Sequence, residues 1–410
     1  MVTFLHTADW QIGMTRRWLQ PEAQARFDSD RLDAVRRAGE IARAQGCAFV
    51  VVAGDVFESN QLRQGTVLRA LEVMREMELP VYLLPGNHDP LDSISIYRQP
   101  TFLDACPSNV TVLDSTQLVD VVPGVQVVGA PWAGKHPGRD LVGDALAGLP
   151  APDGTIRIVV GHGIVDVLDP SGANPAAIDS TSLLEALADR QIHYVALGDR
   201  HSRTDVGGHG TIWYSGAVEV TDPREEVPGD VLVVTVEPDL PPVVAYHHTG
   251  RWDFVTLRRD VLTATDVDAL VNDLAAMPHK DKVVLKLALQ GTLDLADYTR
   301  LHERLESLRP IFGGMHEWER HTDVSVRPGD AQWSALGLSG YVCDAADDIK
   351  SQLADLQDGV RFERDDGLAN GDEAPTASGI WRFDPQRGDD RDSARDALAL
   401  LYRLTSAAQR

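Results

Sequence analysis

The sequence predicts an α/β layered fold, and three observations carry that expectation. Short apolar runs recur from residue 2 to about residue 236. Amphipathic stretches with helical spacing stand between several of them. Clusters of Asp, Asn and His closely follow five of the runs, and an α/β fold gathers its polar loops there, at the carboxyl ends of its strands.

Taken in order, the candidate strands cover 2–6, 48–53, 81–84, 110–113, 125–129, 156–160, 193–197, 211–215 and 231–236. Residues 31–45 read as a helix, because Leu32, Val35, Ala38, Ile41 and Ala42 form one apolar stripe. Residues 67–77 read the same way through Val67, Leu68, Leu71 and Met74. These elements make up a first domain over 1–245. Pro238-Asp239-Leu240-Pro241-Pro242 reads as a hinge, and the texture changes after it. Strands over 252–257, 283–289 and 323–326, with helices over 267–277 and 295–308, predict a small α/β appendage at 250–340. Residues 345–410 read as helical at their ends and loop-like between. Within them, 367–379 is a Gly- and Asp-rich flexible linker. An amphipathic helix over 392–408 follows, its apolar side supplied by Ala397, Leu398, Leu400, Leu401 and Leu404.

At 410 residues the chain is too long for one typical domain, and its 43% hydrophobic content is ample for a large core. No apolar run approaches the roughly 20 residues of a membrane helix. The opening Met1-Val2-Thr3-Phe4-Leu5-His6 lacks the basic-then-apolar layout of a signal peptide, so a cytoplasmic protein is expected. Cys47, Cys106 and Cys343 are odd in number, widely separated and form no CxxC. That argues against a disulfide framework and against a thiolate zinc site. A net charge of −24 argues against a solitary nucleic-acid binder, since neutralising phosphates needs Lys and Arg. Bound divalent cations or a basic partner subunit would offset it, and an acidic surface favours solubility.

The most informative segment is Pro85-Gly86-Asn87-His88-Asp89, directly after Val81-Tyr82-Leu83-Leu84. Upstream stand Asp9-Trp10-Gln11 and Gly54-Asp55-Val56-Phe57-Glu58; downstream stand Gly161-His162-Gly163 and Gly198-Asp199-Arg200-His201. Metal-ligand residue types at five strand ends suggest a two-metal phosphoesterase site. Phosphodiester cleavage needs an attacking hydroxide, neutralised phosphoryl oxygens and a stabilised leaving group. Two ions roughly 3.5–4 Å apart supply the first two. Asp55 is the natural bridge between them, Asn87 offers a neutral oxygen and His162 an imidazole. His88 adjoins a ligand but is itself free, which suits a general acid. Asp89 either orients His88 or caps the following turn.

The set HTADWQ, GDVFES, GNHD, GHG and GDRH resembles the calcineurin-like metallophosphoesterases. Among them it is most similar to the SbcD nucleases of bacteria and their counterparts in double-strand-break repair. The resemblance covers about the first 220 residues and matches the rest only in layout. It implies a two-sheet metallophosphoesterase sandwich, a small capping domain, and a helical C-terminal segment that docks on an SMC-like ATPase. It also implies DNA as substrate, exonuclease and single-strand endonuclease activity, and a homodimer. Carried over by position, one metal is held by Asp9, Gln11, Asp55 and His201, the other by Asp55, Asn87, His162 and Asp199.

Two positions depart from the family pattern. Gln11 stands where the family has the histidine of D-x-H, and Asp199 where it has the first histidine of G-H-x-H. Each metal exchanges an imidazole for an oxygen ligand, which biases the site toward Mn²⁺ or Mg²⁺. Gln11 has a second reading as a hydrogen-bonding loop residue, and His6 is either behind the metal shell or in the packed core. Arg16 and Arg17, with Trp18, either contact a nucleic-acid backbone and stack on a base or form a charged, solvated loop. Trp132 lines the cleft or packs, with packing preferred. Two alternatives to a nuclease stand beside it. One is a phosphodiesterase or phosphatase acting on a small nucleotide or a protein; the other is a DNA-end scaffold that has lost its metals.

Overall fold

A computed structural model of the protein describes residues 1–326, 344–349, 351 and 397. The expected linker over 367–379 and the expected helix over 392–408, Ala397 apart, lie outside the described residues. The chain divides into two compact units. The first comprises Met1–Val255, His279–Lys286 and Ile311–Met315; the second comprises Thr256–Pro278, Leu287–Pro310 and residues from His316 onward.

In chain order, the elements before the first division are β1 (Val2–Thr7), α1 (Pro21–Ala44), β2 (Val50–Val52), α2 (Gln64–Glu76), β3 (Val81–Leu83), α3 (Pro100–Ala105) and β4 (Val110–Val112). There follow β5 (Leu118–Val122), β6 (Val125–Gly129), α4 (Leu141–Ala147), β7 (Ile156–His162), α5 (Ser180–Ala188) and β8 (Tyr194–Gly198). The set ends with β9 (Thr204–Asp205), β10 (Ile212–Tyr214), β11 (Asp230–Glu237) and β12 (Leu240–His248). They build two six-stranded sheets, ordered β12-β11-β1-β2-β3-β4 and β5-β6-β7-β8-β10-β9. Strands β1 to β4 are parallel to one another, as are β6, β7, β8 and β10.

Strand side chains alternate between faces, and three clusters of buried residues follow that alternation. Val2, Phe4 and Ala8 join Phe49, Val51, Ile156, Ile158 and Val160 in the core between the sheets. Leu5, Val50 and Val52 face the other way, onto Val35 and Ala38 of α1 and Leu71 and Met74 of α2. Val159 and Val195 face Val142 of α4 and Leu183 of α5. The result is four layers, helix–sheet–sheet–helix, and the expected α/β two-sheet sandwich is present.

The sequence underestimated α1. Its first turns carry Pro21 at the position where a missing N–H costs nothing. Their buried stripe runs through Ala23, Phe27 and the charged Arg31, so it is too sparse to read as apolar. Helices α4 and α5 went unpredicted, although Asp140 and Asp179 cap them. The hinge expected at 238–242 is instead the turn into β12, which pairs with β11. Pro241 and Pro242 are tolerated because they fall where the β11–β12 register shifts, between the pairs Glu237–Leu240 and Thr235–Val243, and because β12 is an edge strand.

The remaining elements are β13 (Asp253–Asp260), α6 (Ala264–Ala276), β14 (Val283–Leu293), α7 (Leu295–Leu308), β15 (Gly314–Glu317) and β16 (Asp323–Val326). Their sheet is ordered β13-β14-β15, with β16 parallel to β14. Thr263 and Asp266 form a reciprocal capping box at the start of α6. Among the described residues, no helix is long and apolar enough to cross a membrane.

His6 belongs to the packed core. Its Nδ1 lies 3.0 Å from the Tyr194 hydroxyl and its Nε2 3.1 Å from the Leu197 carbonyl. One neutral tautomer satisfies both contacts, and burial pulls its pKa down to about 3. As pH falls through the ordinary value of 6.5, the unfolded chain takes up a proton that the folded chain refuses. Stability therefore falls on the acid side by up to about 1.4 kcal/mol per pH unit from this site. Urea denaturation between pH 7 and pH 5 is expected to show a shallower acid slope for His6→Gln than for wild type. Parallel slopes would refute this assignment.

Candidate metal centre

Five loops converge where the parallel strands of both sheets end. β1 runs into Asp9 and Gln11, β2 into Asp55, and β3 into Asn87 and His88. His162 is the last residue of β7, and β8 runs into Asp199 and His201. The loops are stitched together by main-chain bonds: Asp9 N to Gly54 O at 3.1 Å, Gln11 N to Asp55 O at 2.8 Å, and Gly163 N to Gly198 O at 3.2 Å. The indole of Trp10 is buried and donates to Thr7 Oγ1 at 2.9 Å, anchoring the first loop at its midpoint.

The backbone at this centre is strained. Asp9, Gln11, Asp55 and Asp199 have φ of 51°, 42°, 52° and 94°, the left-handed region that non-glycine residues avoid. They are four of the seven such residues in the described chain. Each costs on the order of 1–3 kcal/mol and persists where the surrounding structure over-determines it, as functional sites do. Two glycines make room. A Cβ at Gly54 would lie 2.1 Å from His162 Nδ1, and one at Gly86 would lie 2.2 Å from Asp55 Oδ1. Gly86→Ala is therefore expected to lower stability by about 1–3 kcal/mol and to weaken Mn²⁺ uptake. Thermal denaturation with and without Mn²⁺ checks both effects.

The structure brings all seven candidate ligands together. Asp9, Asp55 and His162 place one donor atom each within 4.8 Å of one another. His162 Nε2 lies 3.4 Å from Asp55 Oδ1 and 3.8 Å from Asp199 Oδ1. Its Nδ1 lies 2.9 Å from the Ala53 carbonyl; a proton held there leaves Nε2 as the ligating nitrogen. On the other side, His201 Nε2 lies 3.9 Å from Asp9 Oδ1 and 3.2 Å from Gln11 Nε2. The main-chain N–H of Asp199 donates to both oxygens of Asp9 at 3.1 Å. Asp55 comes within 4.8 Å of a donor atom on each side, Asp9 and His162.

One buried atom shows that this donor set fits divalent cations: Gln11 Oε1 accepts no hydrogen bond. The half-buried Asn87 amide reaches Asp55 Oδ1 at 3.0 Å, Asp55 Oδ2 at 2.9 Å and His162 Nε2 at 2.9 Å, and with its nitrogen inward it donates to them. Ions bound here would supply a nucleophile at neutral pH and neutralise phosphoryl oxygens.

The electrostatics agree. Burial, opposed by His201 and His162, pushes the pKa of Asp9 up to about 7. Burial would also raise Asp55, but the facing His162 and His88 outweigh it and hold Asp55 low. Burial works against protonated His162, and Asp55 overcomes it, so its pKa lies well above the usual range. The carboxylates thus hold a proton on His162 that a cation would replace, since metal binding releases protons.

The rim residues sort differently. His88 is partly open, its side chain 37% exposed. Its Nδ1 lies 3.0 Å from the Glu58 carbonyl and its Nε2 4.0 Å from Asp55 Oδ2. Asp89 is seen neither on the His88 ring nor on the turn that follows it; it binds the preceding turn and two remote groups. It accepts from Gly86 N at 2.8 Å, Phe57 N at 3.0 Å and the Tyr97 hydroxyl at 2.6 Å. Trp132 packs edge-on against His162 and donates to its carbonyl at 2.8 Å. Arg16 is turned inward, donating twice to the Thr221 carbonyl at 3.0 and 3.2 Å, whereas Arg17 is exposed. Trp18 packs edge-on against Phe254 rather than presenting a free stacking face.

Sequence reasoning missed Thr221 and Glu225, whose side chains lie 2.7 and 2.8 Å from His201 Nδ1. They belong to no strand-end motif, and only the fold brings them to His201.

Fold and site together define a metal-dependent phosphoester hydrolase domain. Residues 2–203 match the family model described as Calcineurin-like phosphoesterase, and the chain therefore contains a calcineurin-like metallophosphoesterase domain. Among solved structures, it is similar to TT1561 of Thermus thermophilus, with 12% identity, 60% of this chain and 99% of the other covered, and a TM-score of 0.38. A dimetal phosphatase from Danio rerio is 14% identical, with 59% of this chain and 98% of the other covered, and a TM-score of 0.35. Likenesses this distant add nothing to the argument.

Proposed function

We propose that the protein is a two-metal phosphodiesterase acting on DNA, an SbcD-like nuclease subunit that processes DNA ends. The observation that carries the phosphodiester chemistry is the convergence of Asp9, Asp55 and His162, one donor atom each within 4.8 Å of one another, beside the buried, unpaired Gln11 Oε1. DNA as the substrate is supported by the motif resemblance over HTADWQ and GNHD and by the further unit that follows the phosphoesterase domain. Asp9, Gln11, Asp55 and His201 would hold one ion; Asp55, Asn87, His162 and Asp199 would hold the other. The oxygen-rich set favours Mn²⁺, with Mg²⁺ next. An SMC-like ATPase partner, homodimer formation and a cytoplasmic location are parts of the same proposal and rest on the resemblance and the sequence.

The net charge of −24 favours a second reading, a phosphodiesterase on a small ester that needs no basic surface. Labelled single- and double-stranded DNA, assayed with Mn²⁺ beside bis-p-nitrophenyl phosphate, separates the two. Cleavage of DNA supports the nuclease. Turnover of the small ester alone supports the second reading, and turnover of neither overturns both.

A further inference from the structure

We propose that Glu225 is the positioning residue of the first half-site, holding His201 so that its Nε2 faces the metal; this rests on the two-metal reading above. Which nitrogen of a histidine ligates is set by the bond its other nitrogen makes. His162 has a neutral carbonyl, Ala53 O, on its Nδ1. His201 has instead a carboxylate, with Glu225 Oε1 at 2.8 Å and only 7% of that side chain exposed. Thr221 Oγ1 lies 2.7 Å from the same nitrogen. The opposite ring nitrogen therefore points toward Asp9 and Gln11.

The carboxylate is itself locked. Glu225 Oε2 accepts from the main-chain N–H of Thr221 at 2.9 Å, and the Thr221 hydroxyl donates to Oε1. The segment 221–227 is tied to the His201 loop as well. Glu226 N donates to Ser202 Oγ at 2.9 Å, and Arg203 N to Val227 O at 3.0 Å. Arg16 fastens the Thr221 carbonyl from the first metal loop. Segment, ring and first loop thus form one hydrogen-bonded unit around the half-site.

The demand on Glu225 is greater here than at an all-histidine site. With Gln11 as the neighbouring donor, His201 is the single imidazole among Asp9, Gln11, Asp55 and His201. A carboxylate on the far nitrogen raises ligand basicity and fixes ring orientation. Glu225 thereby compensates for the weak donor at position 11. If it only fastened its own loop, its loss would lower stability without discriminating between the two ions.

Calorimetric titration with Mn²⁺ alone, on the full chain, tests this with wild type, Glu225→Ala and Glu225→Gln. Wild type is expected to take up two ions. Glu225→Ala should bind one of them about 10–100-fold more weakly and the other unchanged. Glu225→Gln keeps an acceptor without charge and should lie between; it also carries the test if the alanine variant fails to fold. Unchanged affinities, or equal weakening of both ions, would overturn the role of Glu225 while leaving the two-metal reading intact. A wild type that binds no Mn²⁺ would overturn both.

Discussion

Asp55→Ala is expected to abolish phosphodiester hydrolysis and to weaken Mn²⁺ uptake in both halves of the centre. Asp55 places one oxygen within 4.8 Å of a donor atom of Asp9, from one donor set, and of His162, from the other. Its Oδ1 lies 3.4 Å from His162 Nε2 and accepts the main-chain N–H of His88 at 2.9 Å. Its two oxygens lie 3.0 and 2.9 Å from the side-chain amide of Asn87. Removing it leaves His162 without its nearest counter-charge and strands the half-buried His88 N–H. Charge stabilisation by a bound ion is worth several kcal/mol, and about 1.4 kcal/mol is a factor of ten. The expected loss in kcat/KM is therefore about a thousandfold or more. Asp55→Asn separates charge from shape, since an amide oxygen still accepts from His88 N. It should lose nearly as much. The check is kcat/KM on bis-p-nitrophenyl phosphate with Mn²⁺, beside elemental analysis of the same preparations. Activity within tenfold of wild type would exclude Asp55 as the bridge.

The five polar clusters were legible because each is local: an apolar run, a turn, then the functional residue. Pattern also placed β6 at 125–129 and α7 at 295–308 with the bounds found in the structure. What escaped was long-range or stereochemical. Asp9 and Asp199 are 190 residues apart, yet a main-chain N–H of one serves the carboxylate of the other. Glu225 and Arg16 acquire their roles only when the fold brings the segment 221–227 against both loops. The left-handed backbone at Asp9, Gln11, Asp55 and Asp199 leaves only a faint mark in composition, because Asp enters that region more readily than most side chains but adopts the ordinary regions far more often. Prolines at 241 and 242 argued locally for a hinge; the edge position of β12, a property of the whole sheet, decided otherwise. Gln11 shows the limit most clearly. Its position was inferred as a ligand site, and the structure buries it there, but the amide presents nitrogen to His201 while its oxygen is unpaired. Turning one amide end for end separates a hydrogen-bonding residue from a ligand.

His88→Ala is expected to lower kcat on DNA by about 10²–10⁴-fold, the range for a general acid, while leaving Mn²⁺ uptake unchanged. The side chain contributes no atom to the buried donor set. The main chain of His88 holds Asp55 Oδ1, and that bond survives the substitution. A proton on Nδ1 donated to the Glu58 carbonyl leaves Nε2 as the free end, 4.0 Å from Asp55 Oδ2 on the partly exposed side of the centre. An alkoxide leaving from DNA needs a proton at that edge. A p-nitrophenolate does not, so the same variant should lose far less on bis-p-nitrophenyl phosphate. Equal losses on both substrates would mean that His88 binds the phosphoryl group instead of protonating the leaving oxygen.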